Sequence, residues 1–219
     1  AGLSRFSGIS RRELYSLLVA WIVLGTSFSV RYIFSLRMTP IELALIFSLT
    51  LVLVGTSFLG HELAHKFTAQ RYGCWAEFKL WTYGAVMALL FAFVSRGALV
   101  FAAPGAVYIA SRAGYFGDGL DKKANGIVSI MGPLVNVCAA LIFAVLLLGT
   151  SLLGYPDLNI AGFKFLTSGV TLNLWLGAFN MLPIFILDGQ KVFAWNKKVW
   201  ALATIPLWVA ALTALTYLS

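Results

Sequence analysis

The sequence predicts an all-α polytopic membrane protein with about five to six transmembrane helices and a small β-hairpin or re-entrant region between the second helix and the core third helix. Three observations predict it. Hydrophobic residues make up 60% of the 219-residue chain and charged residues only 11%, whereas a soluble domain carries about a quarter charged residues; mean hydropathy is +0.89. Uncharged runs long enough to cross a bilayer recur along the chain. The basic residues gather in short segments between those runs, as in membrane proteins oriented by loop charge. The net charge of +8 therefore speaks for orientation in a lipid bilayer, and nucleic-acid binding is not expected. Neither Cys74 nor Cys138 belongs to a Cys-x-x-Cys pair, and Cys138, inside an apolar run, is expected to be a small buried hydrophobe. No cleavable signal peptide or appended soluble domain is evident, so residues 1–219 read as one membrane-embedded domain.

The first run, Leu14 to Val30, is preceded by Arg5, Arg11 and Arg12 and followed by Arg31 and Arg37. The second, Leu43 to Gly60, leads into a polar helical extension that Gly73 is placed to stop. Tyr83 to Ser95 is apolar but short for a span, with Trp75, Trp81 and Tyr83 suited to an interfacial belt. Gly97 to Ala110 carries Pro104-Gly105 as a turn signal and reads as extended strands or a hairpin. Arg112 to Lys123 is a Gly-rich charged loop. Ala124 to Gly149, Phe165 to Leu187 and Val199 to Leu218 are three further runs. With the N-terminus in the cytoplasm, Arg71, Lys79, Arg96, Arg112, Lys122, Lys123, Lys191, Lys197 and Lys198 fall on the cytoplasmic side, provided that residues 83–110 make no net crossing. Non-helical backbone at that depth is tolerated where it is buried in protein or lines a wet cavity.

Both histidines lie in His61-Glu62-Leu63-Ala64-His65. On a helix this spacing points two imidazoles to one face, and His-Glu-x-x-His is a zinc site with its own base. Catalytic zinc takes three protein ligands and an open position. With no third histidine, the third ligand is an acid or a cysteine. Glu13, Glu77, Asp118, Asp121 and Asp157 sit in or beside loops, and Glu42 begins the second helix, several turns from His61. Asp188 closes an uncharged run on the same expected side as the histidines, where an ionisable group needs a partner. Topology thus nominates Asp188, with Glu62 as the general base that takes a proton from the attacking water and passes it to the leaving amine.

Three stretches, His61-Glu62-x-x-His65, Gly132-Pro133-Leu134-Val135-Asn136 and Asn180-x-x-Pro183-x-x-x-Leu187-Asp188-Gly189, together resemble the site-2 proteases, which are intramembrane zinc metalloproteases. The resemblance covers Leu43 to Gly189, a catalytic core at residues 40–190. It implies that Zn2+ is held by His61, His65 and Asp188, that Glu62 is the catalytic acid/base, and that Asn136 and Asn180 line the active site. Asn180 would orient the substrate strand or stabilise the oxyanion, and Asn136 would support helix packing or the peptide. The implied substrate is a membrane-spanning protein, cleaved from the cytoplasmic side of the cell membrane. In the family, strands in the 83–110 region pair with an unwound substrate. Gln190 departs from the pattern, since many members have a second glycine there.

Other readings compete. Asp188 could be an interfacial carboxylate paired with Lys191. Asn136 and Asn180 could serve interhelical hydrogen bonding, and Gly132-Pro133 could be a helix kink. Arg96 and Arg112 suit interfacial anchors, and Trp195 and Trp200 suit a belt. A metal-ion transporter also buries histidines and acids, but such folds often show repeated halves, and none is evident here. A catalytically inactive membrane-binding relative would not need Glu62.

Overall fold

In the computed structural model, residues 8–34, 38–100, 103–110 and 120–218 are described. Arg5, Arg37, Arg112 and Asp118 lie outside them. Helix α1 (Arg11–Ile33) begins at Ser10, whose hydroxyl accepts from the Glu13 amide while the Glu13 carboxylate reaches back to the Ser10 amide. This reciprocal cap satisfies two amides that a helix start would otherwise leave unpaired. Thr39 and Glu42 repeat the device at α2 (Pro40–Arg71), with Pro40 in the first turn. One π-helical turn, Gly55–Leu59, interrupts α2 just before the histidines. Helix α2 ends as expected at Gly73, which takes φ +76°, a conformation that a side chain disfavours.

Strand β1 (Trp75–Leu80), helix α3 (Thr82–Val94) and strand β2 (Gly105–Ala110) follow. The strands pair antiparallel, from Trp75 opposite Ala110 to Leu80 opposite Gly105. Of the two readings of residues 97–110, the extended strand is found at 105–110, and a hairpin turning at Pro104-Gly105 is not, because Gly105 starts a strand whose partner lies before α3. Sequence-local turn signals could not reveal a pairing that spans an intervening helix. Helix α3 runs along α1 to its far end, where Gly97 (φ +82°) packs on the Arg31 backbone and Phe34 meets Phe93 edge-on. The chain then returns to the ribbon, so this region leaves and re-enters at the same end, the re-entrant path expected. Arg96 is corrected: it stacks on Phe34, 5.8 Å from the ring centre, at the end opposite Arg11.

Helix α4 (Lys122–Leu152) is capped by Asp121 and contains Pro133. A short hairpin, β3 (Asn159–Ile160) and β4 (Phe163–Lys164), leads to α5 (Phe165–Asn180). The Asp157 carboxylate accepts from the Leu166 and Thr167 amides at the start of α5. The apolar run to Leu187 does not stay helical. Pro183 cannot continue a helix, and Asp188 opens a new short helix, α6 (Asp188–Trp195), instead of closing a long one. Helix α7 (Lys197–Tyr217) completes the described chain.

Among the described residues, four helices, α1, α2, α4 and α7, are long and apolar enough to cross a membrane. Helix α5, at 16 residues, is shorter, and its Gly169, Asn173 and Gly177 are buried. Successive long helices run antiparallel, which brings the C-terminal half of α2, the N-terminal half of α4, the end of α5 and α6 to one end of the bundle. Leu17, Leu24, Val54, Phe58, Phe78 and Leu176 form a core joining α1, α2, β1 and α5. Cys138 is exposed on the outer face of α4, not buried, because small polarisable groups are as compatible with lipid as with a core. Trp195 packs against Gly126, and the Trp200 indole donates to the Met181 carbonyl at 2.8 Å, so both brace helix ends.

Candidate metal centre

The α2 helix sets His61 and His65 one turn apart, both buried. The tautomer of His61 can be traced through three helices. On α5, Asn173 Nδ2 donates to the Gly169 carbonyl at 2.9 Å, leaving its Oδ1 to accept from Asn136 Nδ2 at 3.3 Å. Asn136 Nδ2 also donates to the Ser57 carbonyl at 2.8 Å, so its Oδ1 faces His61 Nδ1 at 2.7 Å. An amide oxygen can only accept, so the proton sits on Nδ1 of His61. His65 Nδ1 likewise donates to the Val128 carbonyl at 2.8 Å. Both Nε2 atoms are thereby left as lone pairs.

Those lone pairs meet each other and a carboxylate. The two Nε2 atoms are 3.0 Å apart, and Asp188 Oδ2 lies 3.1 Å from His61 Nε2 and 3.0 Å from His65 Nε2. Three electron-rich atoms with no proton among them repel unless a cation joins them. A tetrahedral zinc with bonds of about 2.0–2.1 Å would separate its ligands by about 3.3 Å, close to what is seen. Among the described residues, His61, His65 and Asp188 are the group whose donor atoms could hold one metal ion. Their chemistry fits zinc: two neutral imidazoles with oriented outer nitrogens and one carboxylate. Asp188 sits in the first turn of α6, where the helix N-terminus favours negative charge. Its Oδ1 is 3.6 Å from Lys191 Nζ, so the ion pair expected as an alternative coexists with the cluster.

Gly132 explains the first glycine of the second motif. A Cβ there would lie 2.5 Å from His65 Nε2 and 2.7 Å from His61 Cε1. Only a residue without a side chain lets α4 pass this close to both rings. Gly189 is equally confined, against the Met181 backbone.

Glu62 points into a cavity of about 90 Å³ that His61, His65 and Asp188 also line, room for several waters. Val107 on β2 lines the same cavity. Asn180 and Lys191 line the same space, and Asn180 Nδ2 donates to the Leu176 carbonyl at 3.0 Å. Asn136 is fully buried behind His61 and does not line the cavity. Of the residues expected at the site, Glu62 and Asn180 therefore share the cavity with the cluster, and Asn136 orients a ring from outside it. Asn173 was not singled out by the sequence. Its signal was an isolated amide in an apolar run, at a spacing of seven from Asn180.

Comparison with known proteins agrees with the geometry. No family model matches the chain, and no solved structure matches it. The chain is 37% identical over 201 residues to a Methanocaldococcus jannaschii protein named "Putative zinc metalloprotease MJ0611", covering 90% of this chain and 92% of that one. It is 27% identical over 186 residues to "Zinc metalloprotease MJ0392" of the same organism, covering 76% of this chain and 44% of the relative's length. With two imidazoles and a carboxylate gathered as a zinc site requires, and a relative of matching length bearing that name, the chain belongs to a family of zinc metalloproteases.

Proposed function

We propose that this protein is an intramembrane endopeptidase of the site-2 type, cleaving a single-span protein within or beside its membrane segment. The observation that carries the reading is the His61, His65 and Asp188 cluster opening onto the same small cavity as Glu62, on helices of bilayer length. In this reading the three ligands hold zinc, which when bound makes water acidic enough to ionise near pH 7 and polarises a carbonyl. Glu62 accepts the proton of the attacking water and returns it to the leaving amine. Val107 on β2 lines the cavity beside Glu62. Asn180, at the cavity wall, is placed to donate to the developing oxyanion.

A helical substrate keeps its scissile carbonyls hydrogen-bonded, so it must unwind locally. The outer edge of β2 offers backbone groups with which an extended segment can pair. Arg11, Arg12, Arg71, Lys79, Lys122, Lys123, Lys197 and Lys198 lie at the cluster's end of the bundle, and Arg31, Arg96 and Lys164 at the other. Basic loops favour the cytoplasm, which supports an active site opening there.

The test is a Glu62→Ala variant reconstituted with a synthetic single-span polypeptide. It should keep wild-type zinc content and lose cleavage by at least about a hundredfold. A metal chelator should abolish wild-type cleavage, and added zinc restore it. Cleavage by Glu62→Ala at the wild-type rate would overturn the assignment, as would zinc flux through the wild-type protein without proteolysis.

A further inference from the structure

Two charged residues have no part in the proposed chemistry and yet are almost fully buried. Glu13 on α1 and Lys66 on α2 are each 1% exposed. In the sequence Glu13 stands beside the N-terminal loop, where a carboxylate ordinarily meets water. Instead, Lys66 Nζ donates to Glu13 Oε2, which also faces the Ser10 amide. Burying two charges in a membrane protein is expensive even when they are paired, so the arrangement calls for a role.

That role is visible at the other oxygen. Glu13 Oε1 accepts from the Phe78 amide at 3.0 Å. Phe78 stands directly opposite Val107 in the ribbon. In an antiparallel pair, opposed residues alternate between exchanging both backbone bonds and exchanging none. Phe78 and Val107 are of the second kind, since the Phe78 amide bonds outside the ribbon, to Glu13; Val107 lines the cavity that Glu62 also lines. One register position thus joins the Glu13 carboxylate to the wall of the Glu62 cavity. Ser10 Oγ donates to Glu77 Oε1 at 2.7 Å and ties the same strand again.

We propose that Glu13 and Lys66 are a positioning pair: Lys66, one residue after His65, fixes the Glu13 carboxylate, and Glu13 pins Phe78 so that Val107 and the β2 edge stay in register with Glu62. This deepens the proposed function and rests on it. Without the pin, the buried Phe78 amide loses its acceptor, and the register rests on side-chain packing, the Ser10–Glu77 tie and a two-stranded ladder that is marginal alone. A misplacement of about 1 Å can cost a hundredfold in rate.

Two neutral double variants of the full chain isolate the acceptor. Glu13→Leu/Lys66→Met removes both charges and leaves the Phe78 amide without a partner. Glu13→Gln/Lys66→Met removes both charges but keeps an acceptor of the same length. Cleavage of the labelled single-span polypeptide, zinc content, and hydrogen exchange at the Phe78 amide are measured for each. The expected result is wild-type zinc in both, a tenfold or greater fall in kcat with fast Phe78 exchange in the Leu/Met variant, and near-complete rescue of both readouts in the Gln/Met variant. Equal activity and exchange in the two variants would overturn the proposal, as would loss of zinc from both, which would make the pair a folding device. Should the Leu/Met variant not fold, Glu13→Asp keeps the charge balance and shortens the reach by one methylene; unchanged cleavage and exchange there also overturn it. If the wild-type protein cleaves nothing, the proposed function fails, and the exchange measurement still decides the pinning.

Discussion

Replacing Gly132 by alanine sets two physical effects against each other. In the interior of α4, alanine is the better helix former by about 1 kcal/mol, so local propensity favours the change. At the metal centre the new Cβ would lie 2.5 Å from His65 Nε2, 2.6 Å from its Cε1 and 2.7 Å from His61 Cε1. Ordinary contact begins near 3.4 Å, so the His65 ring has to give way by about 0.9 Å. Coordination tolerates about 0.2 Å. The displaced atom is itself a ligand, so the loss should exceed the 10- to 100-fold typical of altered outer-sphere partners, or at least about 2.7 kcal/mol at a hundredfold. Gly149, in the same helix, has nothing within 4 Å of its would-be Cβ. Gly149→Ala should gain the propensity term without a penalty. The assay is zinc competition against a chelator of known affinity, with thermal unfolding in detergent alongside. Gly132→Ala binding zinc as tightly as wild type would refute the reasoning.

Two further outcomes are expected. Asn136→Ala removes the acceptor for His61 Nδ1 and the side-chain donor to the Ser57 carbonyl; zinc affinity should fall about 10- to 100-fold with the helices intact, measured by the same competition. Gly97→Ala places a side chain at φ +82° against the Arg31 backbone, so the melting temperature should fall by several degrees, corresponding to more than about 1 kcal/mol, while zinc content is unchanged.

Much of this architecture was legible in the sequence because it is local. Uncharged runs give spans, Gly73 gives a helix end, and four-residue spacing puts His61 and His65 on one face. The approach of Asp188 to them, 3.0–3.1 Å, followed from counting crossings, although its place at the start of a helix did not. What escaped was non-local or chemically ambiguous. The pairing of residues 75–80 with 105–110 spans a helix, so no turn signal marks it. Glu13 and Lys66 stand at the margins of apolar runs, where a charge ordinarily meets water, and only the fold reveals that each is the other's partner. Cys138 sits in an apolar run, which in a bilayer says nothing about whether a side chain faces protein or lipid.

The π-helical turn at Gly55–Leu59 has a consequence for how the motif is aimed. Such a turn acts as one residue inserted into an α-helix, and each residue advances the helix by about 100°. Everything after Leu59 is therefore indexed one step further around the axis than the preceding apolar stretch would dictate. The membrane-facing side of α2 and the direction in which His61 and His65 look are set independently, by one extra peptide unit. The same backbone supplies the Ser57 carbonyl that anchors Asn136. A family alignment that closes this gap to preserve helical periodicity would pair the wrong residues across it, so the length of the segment carries information that its composition does not.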